Sequence, residues 1–152
     1  MLNDGMENPM DDLLDAFHYL QGENLSAASS LADQSRLSAI ELRVLLIIRR
    51  MPETSTTTVA SMIHYSIDSC TALVGRLVSG GYVEPSQSAA SRGFARLHLT
   101  IEGRAVTELI RDFYRVAFAR AVPVEHLANI ALEVRDLADA IRAQRMQFDD
   151  HA

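Results

Sequence analysis

Residues 56–85, TTTVASMIHYSIDSCTALVGRLVSGGYVEP, constrain the fold more than any other part of the chain. Val59, Ala60 and Ile63 stand at helical spacing, His64-Tyr65-Ser66 interrupts, and Cys70, Leu73, Val74 and Leu77 make a second apolar stripe at i, i+3, i+4 and i+7. Gly80-Gly81 stops that stripe, and Tyr82-Val83-Glu84 reads as a short strand. Helix, tight turn, helix and strand, with the second helix's outer face polar or small, is the order of a helix-turn-helix unit.

The flanks extend this unit. Asp11-Asp12 sit where carboxylates favour a helix N-terminus, and Leu13, Phe17, Leu20, Leu25, Ala28 and Leu31 predict one long helix through Gly22. Ser38 and Glu41 are spaced as a capping box with Leu37 and Leu42 as its hydrophobic staple, so a helix is expected over 39–50, ending before Met51-Pro52. Its run Val44-Leu45-Leu46-Ile47-Ile48 is apolar nearly all round and is the expected central core helix. Hydroxyls at 54–58 can cap the next helix. Arg96-Leu97-His98-Leu99 alternates as a returning strand, and the Ser-, Ala- and Gly-rich 85–95 between the strands fits a wing. Thr100 opens a helix with the stripe Val106, Leu109, Ile110, Phe113 and Ala117, Pro123 breaks it, and a last helix carries Leu127, Ile130, Ala131, Val134, Leu137, Ala138 and Ile141. The expected fold class is mainly α: a winged helix-turn-helix with a small β-wing, flanked by N- and C-terminal dimerisation helices. The expected divisions are a tail over 1–10, the N-terminal dimerisation helix over 11–36, the winged unit over 37–104, C-terminal dimerisation helices over 105–147 and a tail over 148–152. Three amphipathic helices that the winged unit does not need call for another partner: a second copy of the chain is the simplest one, because a two-fold dimer buries self-complementary stripes, and the alternative is that the three pack on one another within a monomer.

Charge is uneven along the chain. The net charge of −6 resolves into −7 over residues 1–33, +3 over 34–104 and −2 over 105–152, and every base is Arg. The positive middle segment coincides with the winged unit, as phosphate neutralisation requires. The lone Cys70 suits a reducing compartment, and no leader or long apolar run is present, so a cytoplasmic protein with no membrane partner is expected. No nucleophile and base stand at recognisable spacing, no loop is built to cradle phosphate, and the five His show no metal-ligand spacing. Neither an enzyme, nor a metal site, nor a cofactor is expected.

Four segments together resemble the MarR family of multiple antibiotic resistance regulators. Residues 37–45 are similar to that family's Leu-Thr-x-x-Gln-x-x-Val-Leu, Val59-Ala60-x-x-Ile63 to its Leu-Ala-x-x-Leu, residues 75–84 to its Asp-Arg-Leu-x-x-x-Gly-x-Val-x, and Leu99-Thr100-Ile101-Glu102-Gly103-Arg104 to its Leu-Thr-x-x-Gly-Arg. The similarity spans about residues 11–145. It implies a homodimeric transcription regulator, a repressor in the usual case, that binds double-stranded DNA at a pseudo-palindromic operator and is released by a small aromatic ligand. The chain departs from the pattern where Ser91 and Gly93 stand for the wing's Asp-x-Arg, and where His64 stands for the turn glycine in a place that needs a left-handed backbone.

A helical projection puts Asp68, Thr71, Ala72, Gly75, Arg76 and Ser79 on the outward face of the second helix. The expected DNA-contacting residues are Ser66, Asp68, Ser69, Thr71, Ala72 and Arg76, with Arg92 and Arg96 from the wing. Arg76 either reads guanine or grips a phosphate, the commoner role, and Asp68 favours the helix dipole over a cytosine contact. Cys70 belongs to the buried stripe. His18, Tyr19, Arg43 and Tyr65 are the expected contributors to a ligand pocket. The competing reading is a winged-helix module for protein partners, motivated by the thin recognition face and the acidic balance.

Overall fold

A computed structural model of the chain describes residues 8–86 and 95–149. They form two compact units, one through Ile110 and one from Arg111. In chain order the elements are α1 (Pro9–Ser35), α2 (Ala39–Arg50), α3 (Thr56–Ile63), α4 (Ile67–Ser79), β1 (Val83–Ser86), β2 (Arg96–Leu99), α5 (Ile101–Ala121), a 3-10 turn (Val124–His126) and α6 (Leu127–Asp149). The expected mainly α winged helix-turn-helix is the observed fold.

Local chemistry sets the boundaries. α1 starts at Pro9, two residues before the acidic pair that marked it in the sequence, because the Asn8 side chain accepts the Met10 N–H and proline needs no partner in the first turn. α2 runs over the expected residues and carries the complete capping box, Ser38 Oγ accepting from the Glu41 N–H and Glu41 from the Ser38 N–H. Ser55 caps α3 and Ser66 caps α4. Between them His64 takes the left-handed conformation expected of it, φ 58° and ψ 43°, and lets the chain turn sharply. α4 closes in a Schellman arrangement: Gly81 at φ 79° donates to the Val78 carbonyl and Tyr82 to the Leu77 carbonyl.

The core lies in the first unit. Leu45 and Ile48 of α2, Val59 and Ile63 of α3, the α4 stripe Cys70, Leu73, Val74 and Leu77, and Val83, Leu97 and Leu99 of the strands pack together as one buried cluster. β1 pairs with β2 antiparallel, Val83 opposite Leu99 and Ser86 opposite Arg96. Thr54 bridges the other side of β2, with Leu97 N–H donating to its carbonyl at 2.9 Å, so β1 is an edge strand. That explains why the first strand runs on to Ser86 beyond the three residues expected: an edge tolerates Pro85, which has no N–H to offer. Of the wing expected over 85–95, residues 87–94, which include Ser91, Arg92 and Gly93, lie outside the described residues.

Thr100 caps α5 as expected: its Oγ1 accepts the Gly103 N–H at 3.1 Å and donates to the Gly81 carbonyl at 2.6 Å. Gly103 is there because nothing larger fits: a Cβ would stand 2.1 Å from the Tyr82 carbonyl oxygen. The expected α5 stripe is only partly buried, with Ile110 inside and Leu109 and Phe113 exposed, and Thr107 is the buried polar residue on that helix. In the second unit α6 is a continuous helix in which no residue is buried. Among the described residues no helix is long and apolar enough to cross a membrane.

Candidate nucleic-acid interface

The outward face of α4 is where the sequence put it. Its inward residues Cys70, Leu73, Val74 and Leu77 are buried, while Asp68, Thr71, Ala72, Gly75, Arg76 and Ser79 are exposed. Ser66 and Ser69 stand together at its first turn, Ser66 Oγ accepting the Ser69 N–H at 3.2 Å and donating to Ser69 Oγ at 2.8 Å. Thr71 Oγ1 donates to the Ile67 carbonyl at 2.8 Å, which still leaves its lone pairs outward. Asp68 is exposed in that same turn, the position of a carboxylate on a helix dipole. Ala72 and Gly75 leave the middle of this exposed face without large side chains.

Arg76 is held by a residue that the sequence reading did not place in the site. Its Nε donates to Glu41 Oε1 at 3.1 Å, and the other Glu41 oxygen accepts from Ser38 Oγ at 2.8 Å and from the Ser38 N–H at 2.9 Å. The Glu41 side chain is 12% exposed and that of Arg76 is 61% exposed. Burial by itself would raise the Glu41 pKa, and the bonds from Ser38 and Arg76 outweigh it, so the carboxyl sits below its ordinary value and stays ionised at neutral pH. The signal for this contact is a long-range pairing of a capping glutamate with an α4 arginine, and helical periodicity cannot see it.

Arg96, the described wing arginine, donates from Nη1 to the Glu53 carbonyl at 3.0 Å, where Glu53 has φ 65°. Next to it His98 Nε2 and Ser86 Oγ are 2.8 Å apart across the two strands. The four residues expected around a ligand pocket are dispersed over the first unit. His18 and Tyr19 are on the exposed side of α1, Arg43 donates from α2 to the Met62 carbonyl at 3.3 Å, and Tyr65 is half exposed in the α3–α4 turn. A cleft of about 490 Å³ is lined by none of them: its walls are apolar Ile48, Pro52 and Leu99 with Arg49, His98, Arg104 and Glu108. There Arg49 forms an ion pair with Glu108 and donates to Thr107 Oγ1 at 2.9 Å. Among the described residues no cluster of three His, Cys, Asp or Glu is placed to hold a metal.

No family model matches the chain, and no curated protein matches its sequence. Solved structures do match. FabT of Streptococcus pneumoniae in complex with DNA superposes with a TM-score of 0.69 at 18% identity, over 87% of this chain and 99% of that one. The RV1404 protein of Mycobacterium tuberculosis gives 0.68 at 19% identity, over 88% and 95% of the two chains. The multiple antibiotic-resistance repressor MarR of Listeria monocytogenes gives 0.61 at 16% identity, over 91% and 99%. The chain has the MarR-type winged-helix fold. In that fold the four sequence segments that carried the resemblance acquire structural reasons: a capped α2, the two helices of the turn, and the Thr100–Gly103 close contact that starts α5. The MarR-type fold is thus present with its turn glycine replaced by His64 and without the Asp-x-Arg of the wing.

Proposed function

We propose that the chain is a homodimeric DNA-binding transcription regulator, a repressor, with α4 as the helix that enters the major groove of a pseudo-palindromic operator. The observation that carries this reading is the exposed, small and polar face of α4 mounted on a fully buried stripe, in a fold shared over nearly the whole chain with a protein solved on DNA. Ser66, Ser69 and Thr71 reach phosphates or base edges from its first turn, Ala72 meets a thymine methyl, Asp68 stays with the helix dipole, and Arg76 and Arg96 supply positive charge, with Arg92 of the wing as the third arginine. A face with one arginine binds weakly per half-site, so much of the affinity comes from doubling it.

The second copy has support of its own. On α6 the residues Ile130, Val134, Leu137 and Ile141 follow a helical seam and are 38–57% exposed, and α1 shows Leu13, Leu14, Leu20 and Leu25 to solvent. Release of DNA by a small aromatic ligand completes the proposal.

Selection of duplexes from a random pool by the purified protein tests the reading. The expected result is a recurring inverted repeat, bound as a dimer, with affinity that falls steeply as salt rises. Indifference to every duplex at low salt, together with co-purification of one specific protein, would instead favour a winged-helix module for protein partners.

A further inference from the structure

We infer that Glu41 is a positioning residue for DNA binding: it holds Arg76 by Nε so that the two terminal guanidinium nitrogens face outward as a preset phosphate fork at one edge of α4. The inference rests on the DNA-binding reading above. At 100° per residue, Thr71, Ala72, Gly75 and Ser79 lie within about 60° of Asp68 around the helix, whereas Arg76 lies about 80° away. Arg76 therefore flanks the recognition face, on the side where α2 presents Glu41, and a flanking arginine meets the sugar-phosphate backbone before it meets a base edge.

The geometry separates the two ends of the guanidinium. Nε is bound at 3.1 Å by a carboxylate that is nearly buried, and the side chain as a whole remains 61% exposed. An arginine free to sample its rotamers loses that freedom when it grips a phosphate, and one already held by Nε loses less of it. The cost of such an arrangement is a negative charge near the phosphate. Here Glu41 is committed to two bonds from Ser38 and to the N-terminal turn of α2, so its charge is already balanced on the side away from Arg76. One carboxylate thus ties the start of α2 to the DNA-facing edge of α4 through two residues 35 positions apart in the chain.

The test is a double-mutant cycle on a 30-base-pair duplex selected by the wild-type protein, using full-length Glu41→Gln, Arg76→Lys and the double variant. Gln keeps an acceptor for the Ser38 N–H, so α2 stays capped, and thermal melts verify that each variant folds. Lys keeps the charge at position 76 but has no Nε–H to be held. Glu41→Gln is expected to weaken binding about fivefold, Arg76→Lys by a similar factor, and the double variant by no more than Arg76→Lys alone, as coupled neighbours do. A purely structural role for Glu41 predicts instead that its loss appears unchanged in the Arg76→Lys background, which would overturn the inference. So would tighter binding by Glu41→Gln, the mark of a carboxylate that restrains Arg76. If no duplex is selected at all, the DNA-binding reading fails and takes this one with it, whereas equal binding by wild type and Glu41→Gln sinks this one alone.

Discussion

α4 and α6 carry the same apolar rhythm and meet opposite fates. On α4 the residues Cys70, Leu73, Val74 and Leu77 are 0–7% exposed, while on α6 Ile130, Val134, Leu137 and Ile141 remain 38–57% exposed. Periodicity specifies a face and leaves open what covers it. The α4 seam finds α2, α3 and both strands within its own unit, and the α6 seam has no buried residue in its helix. The same apolar rhythm therefore builds the core in one region, and in the other it is the surface on which the proposed second copy would dock.

Substitutions in the two seams should separate these roles. Leu77→Ala opens a cavity at a site with no exposure and is expected to cost about 4 kcal/mol of folding free energy in chemical denaturation. Gly103→Ala is expected to cost about 3 kcal/mol, since its Cβ would meet a backbone carbonyl that cannot step aside. On α6, Leu137→Arg is expected to leave the secondary structure of the chain intact and to raise the dimer dissociation constant about a hundredfold, about 2.7 kcal/mol, by sedimentation. If Leu137→Arg instead unfolds the protein at a concentration where wild type is monomeric, the contrast between the seams breaks. A wild-type sedimentation profile from Leu137→Arg would remove the second copy from the proposal.

The two seams also show how much could be read from sequence. The start of α2, which rests on Ser38 and Glu41, was legible to the residue, because the capping bonds lie within four residues of it, whereas the Asn8 cap that starts α1 two residues earlier than expected was not. The left-handed His64 was expected from the family resemblance, in which it stands for the turn glycine. β1 was read too short because its edge position, set by the Thr54–β2 bridge, depends on a residue far along the chain. The inward and outward faces of α4 came directly from the helical period. What the site residues touch did not: the Glu41–Arg76 pair and the Gly103–Tyr82 contact join segments that no local pattern relates. His18, Tyr19, Arg43 and Tyr65 are expected between the dimerisation helices and the winged unit, a placement that depends on long-range packing, and they lie on α1, α2 and the α3–α4 turn.

Cysteine offers a finer probe of the buried seam. Burial raises the Cys70 thiol pKa, and its Sγ lies 3.6 Å from the Thr56 carbonyl, so the thiol is neutral and enclosed at neutral pH. Native protein is expected to leave Ellman's reagent unreacted on the timescale in which denatured protein releases one equivalent. Fast native reaction would mean that α4 lifts from the core far more often than its burial implies.

The smallest expected effect concerns charge in the two regions. Asp139 and Arg142 pair on α6 at 3.5 Å with both side chains about 70% exposed, and Asp139→Asn should change the unfolding free energy by less than about 0.5 kcal/mol. Glu41→Gln in the first unit should cost about 1 kcal/mol at neutral pH, because it removes charge-assisted bonds to Ser38 and Arg76 from a nearly buried carboxylate. The pH dependence identifies the source. The folded-state pKa of Glu41 is depressed below the ordinary 4.5, so the folded protein releases that proton more readily than the unfolded chain. Its contribution is complete above the unfolded pKa and is lost as pH falls through the folded one. The gap in unfolding free energy between wild type and Glu41→Gln should accordingly be flat near neutrality and narrow as the pH drops below 4.5. A gap that stays constant into strong acid would mean that the glutamine acts through packing, and that the carboxylate's charge contributes nothing to joining α2 and α4.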